Sequence, residues 1–275
     1  INTNSQPIPD DPKLLSDMGI IYNGPGIRNY MTDPLNHFDG KIGIELRGSS
    51  SQSFPKKTYG FETWDINSIS IDTMLLGMPS ESDWVLSASY SDKSLMNNML
   101  AYKLFNDFGY YAPRTRYVEL VLNNQYQGVY ILMEKIKRDA NRVNVSKMTT
   151  ADIAGDEVTG GYILKIDKNT GSGGAGFSSN YAPAVQTSGQ TIYYQYEYPS
   201  DVNIQPQQEL YIENFVDSFE TALATFPLQD LTTGWRAYAD EFSFIHYFIL
   251  NEVSKNVDGY RLSTYLYKTK NTQGD

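Results

Sequence analysis

The first residues that could do chemistry lie in the stretch GIELRGSSSQSFPKKTYGFET, from Gly43 to Thr63. Arg47 precedes a Gly-Ser bend, and Lys56 and Lys57 follow a few residues later. Backbone N–H groups, hydroxyls and fixed cations are the groups that bind a triphosphate. A Gly-Ser bend is also a common hairpin turn, so the residues alone favour a plain hairpin and leave a phosphate site open.

The second such stretch is NVDGYR, from Asn256 to Arg261, between a predicted helix and the strand-like LSTYLYK. An aspartate such as Asp258 can orient a hydroxyl nucleophile and accept its proton late in phosphoryl transfer. An Asx-type turn after a helix explains these residues equally well. A third stretch, MEKIKR from Met133 to Arg138, reads by itself as a solvated run of charges.

Several familiar sites are excluded by their context. The G-x-G-x-x-G match at residues 171–176 precedes no helical pattern and follows from Gly-Ser composition. The KKT triplet has Pro55 before Lys56, where a phosphate-binding Walker loop needs glycine. His37 and His246 lie in no metal or nucleophile motif, and no carboxylate pair for glycoside hydrolysis is identifiable from the sequence.

Composition sets further limits. The 275 residues carry a formal net charge of −10, which argues against a nucleic-acid partner because a polyanion needs a basic surface. No apolar run approaches the roughly 18 to 20 residues of a membrane span, so we expect none. The chain has no cysteine, which excludes disulfides and thiolate chemistry. Its 22 tyrosines and many small polar residues favour an exported protein.

The elements that must position these residues follow from periodicity and turn signals. Residues 1–40 read as irregular, and strands are predicted from about Lys41 on both sides of the bend. A helix is predicted between Ser91 and Gly109. Asn123 and Asn124 predict the turn of a hairpin within YVELVLNNQYQGVYILME, because asparagine tolerates positive φ.

The later part of the chain becomes richer in helix. A strand is predicted over residues 161–166, a Gly-Ser loop over 169–180 and a further strand in TIYYQYEY. One helix begins at Pro206, and another covers residues 238–254 with an apolar stripe of Phe242, Ile245, Ile249 and Val253. Strands followed by helices predict a segregated α+β chain in two lobes.

Taken together, five stretches of the chain resemble the CotH kinase family, the spore-coat-protein-H-like atypical kinases, and most closely its extracellular bacterial branch. They stand in family order over most of the chain. They read ELRGSSSQSFPKKTYGFE, DWVLSASYSDKSLMNNMLAYKL, RYVELVLNNQYQGVYILMEKIKRDANRV, GGYILKIDK and NEVSKNVDGYRLSTYLYK.

The resemblance implies an atypical protein-kinase-like fold with a β-rich N-lobe, residues 1–135, and a helix-rich C-lobe, residues 136–275. It implies transfer of the γ-phosphoryl group of ATP, with Mg²⁺, to Ser or Thr hydroxyls of a protein substrate. The implied location is extracellular or at the cell surface. The chain is expected to be truncated at both ends, because a Trp-Asp-Phe-Asp type segment with a metal-binding aspartate is expected beyond residue 275.

The resemblance also implies roles for the residues of the bend and the hairpin. The phosphate-facing loop is matched by Arg47, Gly48, Ser49 and Ser50. The phosphate-pairing lysine is Lys57 or its neighbour Lys56, and strand alternation favours Lys57, which shares a face with Tyr59 and Phe61. The junction of the lobes, near adenine, is matched by Glu134 and Lys135.

The catalytic aspartate of the family is matched by Asp258. Ordinary protein kinases carry a magnesium-binding asparagine five residues later, where this chain has Ser263, a weaker ligand than an amide oxygen. Asn256 is the other candidate metal ligand. With the main metal-binding aspartate expected beyond residue 275, the chain as given is expected to bind Mg-ATP poorly.

Two other functions stay open at this point. One is a non-catalytic, kinase-like surface or coat scaffold that binds proteins or glycans through tyrosines, which Ser263 and the acidic composition favour. The other is a glycan-active enzyme, which lacks an identifiable carboxylate pair.

Overall fold

The computed structural model describes residues 1–168, 174–183, 191–225 and 230–273. Within them the chain forms ten strands and three α-helices. The strands are β1 Leu14–Ile20, β2 Phe38–Arg47, β3 Thr58–Trp64, β4 Asp83–Ser87, β5 Thr115–Leu122, β6 Gln125–Glu134, β7 Tyr162–Ile166, β8 Gly176–Ser178, β9 Tyr193–Tyr198 and β10 Thr264–Lys268. The helices are α1 Asn97–Asp107, α2 Pro206–Ala224 and α3 Glu241–Ser254.

The first six strands form one antiparallel sheet in the order β1-β2-β3-β4-β6-β5. The predicted hairpin is confirmed as β5 and β6, and its turn residues Asn123 and Asn124 have φ of 50° and 62°. The bend after Arg47 likewise joins two antiparallel neighbours, β2 and β3. Local turn chemistry therefore predicted both connections correctly.

Strand β1 corrects the prediction that residues 1–40 are irregular. Its pairing with β2 runs from Leu14 opposite Ile44 to Ile20 opposite Phe38. Met18 is buried in the core, while prolines and acidic residues before the strand hide this alternation in the sequence. The strand exists because β2 offers it a partner.

One face of this sheet carries the first hydrophobic core. Alternate residues of β2, β3, β4 and β6 point to that face, as the two-residue period of a strand requires. The strand residues buried in this core include Ile42, Ile44, Phe61, Trp84, Tyr130 and Leu132. The sheet holds the ends of β2, β3 and β6, which carry the predicted phosphate-binding and junction residues.

The later strands form a second antiparallel sheet in the order β10-β7-β9-β8. Helix α2 contributes Ile212 and Val216 to a core with Tyr162, Leu164 and Tyr196 of that sheet. Residues 169–173 of the predicted Gly-Ser loop lie outside the described residues. Strand β8 corrects the loop prediction farther along, because Gly176 to Ser178 pair with β9.

The predicted apolar stripe of α3 does not face a core in the described structure. Phe242 is 65% exposed and Val253 is 74% exposed. The buried residue of this helix is instead the polar Asn251, which is 4% exposed. The predicted helix is confirmed over Glu241–Ser254, and Asn251 is the residue that its hydrogen bonds with the following loop bury.

Contacts divide the chain into two compact units. The first comprises residues 1–103 and 112–135, and the second comprises residues 104–111 and 136–275. The protein is thus a mixed α/β chain, consistent with the predicted α+β class, whereas the kinase-like lobes stay a prediction. Over the described ranges, no helix combines the length and the apolar character needed to cross a membrane.

Candidate functional site

The bend between β2 and β3 has a shape that depends on glycine. Arg47 ends β2 opposite Thr58, and Gly48 follows with φ of 99°. A Cβ at Gly48 would lie 2.0 Å from Ser51 Oγ. A left-handed φ and this close approach both favour glycine.

Hydrogen bonds within the bend fix the turn that follows. Residues Ser50–Ser53 form a short 3₁₀ helix. Gln52 Nε2 donates to the Gly48 carbonyl and to Asp10 Oδ1, each at 2.6 Å, and Ser53 Oγ donates to the Ser50 carbonyl at 2.8 Å. The hairpin prediction is confirmed, and phosphate binding by the same bend stays a prediction.

The two lysines after the bend have different contacts. Lys57 Nζ donates to the Gln52 carbonyl at 2.6 Å, so its ammonium lies against the 3₁₀ turn. Lys56 Nζ donates to the Val129 carbonyl and lies 4.4 Å from the centroid of the Tyr130 ring. Burial lowers the pKa of the Lys56 ammonium below its ordinary value. Both lysines precede β3, so contacts, and not strand alternation, distinguish them.

The residues at the end of β6 are held by ion pairs in the first unit. Glu134 is fully buried, and its Oε1 lies 2.7 Å from Arg114 Nη1. The Arg114 backbone N–H donates to Glu134 Oε2 at 2.9 Å. Lys135 Nζ lies 3.5 Å from Asp83 Oδ1. Glu134 is therefore not part of a solvated charge run, and Arg114 is a partner that the sequence analysis missed.

The Asp258 loop, residues 255–263, follows α3 and begins with Lys255 in the left-handed conformation. Asp258 is exposed, and its Oδ1 accepts a hydrogen bond from Arg261 Nη2 at 2.6 Å. Its backbone N–H donates to Asn256 Oδ1 at 3.3 Å, which is an Asx-type contact. An Asx turn and an accessible carboxylate thus occur together in this loop.

Buried contacts at Gly259 anchor the loop. A Cβ at Gly259 would lie 1.9 Å from Asn251 Oδ1. The Gly259 carbonyl accepts hydrogen bonds from the hydroxyls of Tyr247 and Thr264, the latter at 2.8 Å. The backbone next to Asp258 is therefore fixed by α3 and β10. Asn251 lies in the stretch NEVSKNVDGYRLSTYLYK, but no role was predicted for it; its signal is a polar residue within an apolar helix.

The two predicted metal ligands are both hydrogen-bonded to residues outside the loop. Asn256 Nδ2 donates to Asn251 Oδ1 at 2.9 Å, and Ser263 Oγ donates to Asp167 Oδ2 at 3.1 Å. No group of three or more His, Asp or Glu side chains in the described residues is arranged to hold a metal ion. Magnesium bound with ATP takes most of its oxygen ligands from the phosphates and from water, so the amide oxygen of Asn256 and the hydroxyl of Ser263 fit its chemistry.

The two histidines make structural contacts. His37 Nε2 accepts a hydrogen bond from the Leu76 backbone N–H at 2.6 Å. The His246 ring stacks on Phe108 with a centroid distance of 4.7 Å, and its Nδ1 lies 3.4 Å from the Tyr110 hydroxyl. These contacts agree with the absence of a histidine motif in the sequence.

Comparison with known proteins identifies the family of the chain. A family model described as CotH kinase protein matches residues 44–274, which include the bend and the Asp258 loop. The chain belongs to the CotH kinase family. The resemblance carried by the five sequence stretches is thereby confirmed.

Part of the chain is similar to a protein named for the spore coat. A stretch of 95 residues is 27% identical to the inner spore coat protein H of Bacillus subtilis (strain 168). The match covers 34% of this chain and 24% of that protein, so the chain matches about a quarter of the relative's length. CotH membership suggests a kinase-like or spore-coat function.

Proposed function

We propose that this CotH protein is an atypical protein kinase with two kinase-like lobes. It transfers the γ-phosphoryl group of ATP to Ser or Thr hydroxyls of an exported or surface protein. The observation that carries the proposal is the exposed Asp258 carboxylate on a loop fixed at Gly259, within a chain of the CotH kinase family. A fixed backbone supports catalysis because positioning supplies much of the rate of phosphoryl transfer.

Asp258 orients the acceptor hydroxyl in this proposal. The hydroxyl oxygen forms a bond to the γ-phosphorus, the bond from that phosphorus to the β–γ bridging oxygen breaks, and ADP leaves. The hydroxyl proton passes to the Asp258 carboxylate late in the step. Arg261, 2.6 Å from Asp258 Oδ1, limits the rotamers of that carboxylate and leaves Oδ2 for the hydroxyl.

The bend of the first unit binds the phosphates of ATP. Gly48, Ser49 and Ser50 offer backbone and hydroxyl donors, and Arg47 and Lys57 supply positive charge. Lys57 suits this role better than Lys56, because its ammonium lies against the turn whereas Lys56 lies on the Tyr130 ring.

The remaining contacts to the nucleotide are proposed at the end of β6 and in the Asp258 loop. Glu134 and Lys135 lie near adenine, and the Glu134 side chain acts there by fixing the strand end through Arg114. Asn256 and Ser263 are the oxygen donors that this loop would offer to Mg²⁺. When bound, Mg²⁺ neutralises charge on the transferring phosphoryl group.

Transfer of radiolabelled phosphate from ATP to an acceptor protein tests the proposal. We expect Asp258→Asn in the full-length chain to lower the transfer rate by about 10²- to 10⁴-fold, the usual contribution of a general base. Asp217→Asn is a matched control, because it also replaces a hydrogen-bonded carboxylate by an amide, away from the Asp258 loop in sequence. Asp217 belongs to α2, and its Oδ1 accepts a hydrogen bond from Asn180 Nδ2 at 2.8 Å. Equal transfer by the wild type and Asp258→Asn would remove Asp258 from the mechanism.

A second candidate function is a non-catalytic, kinase-like scaffold of a spore coat or cell surface. The similarity to inner spore coat protein H and the engagement of Asn256 and Ser263 in hydrogen bonds within the protein favour it. Calorimetric titration with Mg-ATP separates the two functions. A folded, full-length chain that does not bind Mg-ATP would support the scaffold and exclude the kinase.

A further inference from the structure

Asp167 and Ser263 face each other at the ends of two neighbouring strands. β7 and β10 pair antiparallel with Ile166 opposite Thr264, so the residue after β7 meets the residue before β10. Ser263 Oγ donates to Asp167 Oδ2 at 3.1 Å. The sequence assigned no role to Asp167, and this contact brings it to the Asp258 loop.

The backbone of Ser263 has an unusual conformation. Its φ is 51°, a left-handed value that costs a residue other than glycine roughly 1–2 kcal/mol. Two hydrogen bonds hold the chain in this conformation. The Ser263 hydroxyl donates to the Asp167 carboxylate, and the hydroxyl of the next residue, the buried Thr264, donates to the Gly259 carbonyl. Strain that is maintained in this way is a reason to look for a function.

The hydrogen bond changes what the Ser263 hydroxyl can do. A hydroxyl has one proton and two lone pairs, and donation of the proton to Asp167 leaves both lone pairs free to accept. Asp167 Oδ1 accepts the Lys168 backbone N–H at 2.8 Å, so Oδ2 is the atom that faces Ser263. Ser263 is exposed, so a ligand can reach its oxygen.

The charge of Asp167 adds to this effect. In the part of the chain that the structure describes, no Lys or Arg forms an ion pair with Asp167, unlike Asp258 with Arg261. A carboxylate that accepts a hydrogen bond from a ligand group makes that group a stronger donor to a cation. The pair therefore offers an electron-rich oxygen where ordinary kinases place an amide.

We propose that Asp167 is a positioning residue that makes Ser263 an oxygen ligand of the divalent cation bound with ATP. The inference rests on the proposed kinase function. Divalent cations such as Mg²⁺ prefer oxygen ligands, and a hydroxyl bonded to a carboxylate supplies one next to a negative charge. Asp167 thus compensates for the weaker ligand at position 263.

Binding of Mn²⁺, a spectroscopic probe for Mg²⁺, tests the inference without enzyme turnover. Free Mn²⁺ is measured by electron paramagnetic resonance while it is titrated into full-length chain and a non-hydrolysable ATP analogue. We expect Asp167→Ala to weaken Mn²⁺ binding by about 10- to 100-fold, the usual effect of losing a partner of a metal ligand. Ser263→Ala should give a similar loss, and the double variant should lose little more.

A rescue variant distinguishes positioning from a general structural role. Ser263→Asn carries its own carbonyl oxygen and tolerates the left-handed conformation. In this background Asp167→Ala should leave Mn²⁺ binding unchanged. Asp156→Ala is the matched control, because it removes a similar pair in which the Thr272 hydroxyl donates to Asp156 Oδ2 at 2.6 Å. It should bind Mn²⁺ as the wild type does.

Each other result rejects the inference. Wild-type Mn²⁺ affinity in Asp167→Ala would overturn it and leave the proposed kinase function intact. Weakened binding by Asp167→Ala in the Ser263→Asn background would show that Asp167 does not act through Ser263. A wild-type chain that binds no Mn²⁺ with the nucleotide would reject the kinase function and, with it, the role of Asp167.

Discussion

The β2–β3 bend and the Asp258 loop each depend on a glycine, yet different parts of the chain hold them. The bend is fixed largely by bonds among residues 48–57, such as those of Gln52 and Lys57. The Asp258 loop is fixed by side chains outside it, chiefly Asn251, Tyr247 and Thr264. A turn held by local bonds can be read from sequence, whereas a loop held by a packed helix and a strand cannot.

Gly259→Ala should have the largest effect in this comparison. The added Cβ would lie 1.9 Å from Asn251 Oδ1 and 2.5 Å from its Cγ, and Asn251 is buried. We expect a loss of about 2–3 kcal/mol in the free energy of unfolding, measured by urea denaturation, since overpacking a tight site costs this much.

A second variant shows whether Asn251 causes that loss. Asn251→Ala removes the atom that clashes, so Asn251→Ala combined with Gly259→Ala should cost less than the sum of the two single variants. Additive losses would mean that contact with Asn251 does not hold the loop.

Gly48→Ala should have a smaller effect. A Cβ there would lie 2.0 Å from Ser51 Oγ, but that atom belongs to a short side chain that can rotate. What remains is the left-handed φ of 99°, which costs alanine roughly 1–2 kcal/mol. Urea denaturation of Gly48→Ala and of the double variant Gly48→Ala with Ser51→Ala separates the cost of the close contact with Ser51 from the cost of the left-handed φ. A loss as large as that of Gly259→Ala would erase the difference between the two turns.

The same distinction explains how much of the fold the sequence predicted. The β5–β6 hairpin was predicted because Asn123 and Asn124 carry the signal of their own turn. β1 was missed because its register depends on β2, which the residues around Met18 do not reveal. The family and the α+β class followed from local motifs and element order.

Side-chain burial was harder to predict because it depends on distant partners. Phe242 and Val253 of the apolar stripe of α3 are exposed, whereas the polar Asn251 is buried. Glu134 looked like a surface charge until sheet register placed Arg114 beside it. Asp167 had no motif, since its contact with Ser263 arises only when β7 pairs with β10.

The two lysines of the bend provide the smallest and most specific test. Lys57→Met should lower the free energy of unfolding by about 1 kcal/mol, because it removes the hydrogen bond from the ammonium to the Gln52 carbonyl. Its affinity for ATP should fall about 10-fold, because a charge-assisted bond to phosphate contributes roughly 1.5 kcal/mol or more. Both quantities are measured, by urea denaturation and calorimetry, on one preparation.

Lys56→Met is the matched control, since it removes the same charge one residue away. Its ammonium lies on the Tyr130 ring and bonds the Val129 carbonyl, so its loss should cost stability by about 0.5–2 kcal/mol and leave ATP affinity unchanged. The reverse pattern, with ATP affinity lost only in Lys56→Met, would assign the phosphates to Lys56. The hydrogen bonds of Gln52 and Lys57 within the bend would then close the hairpin without taking part in ATP binding.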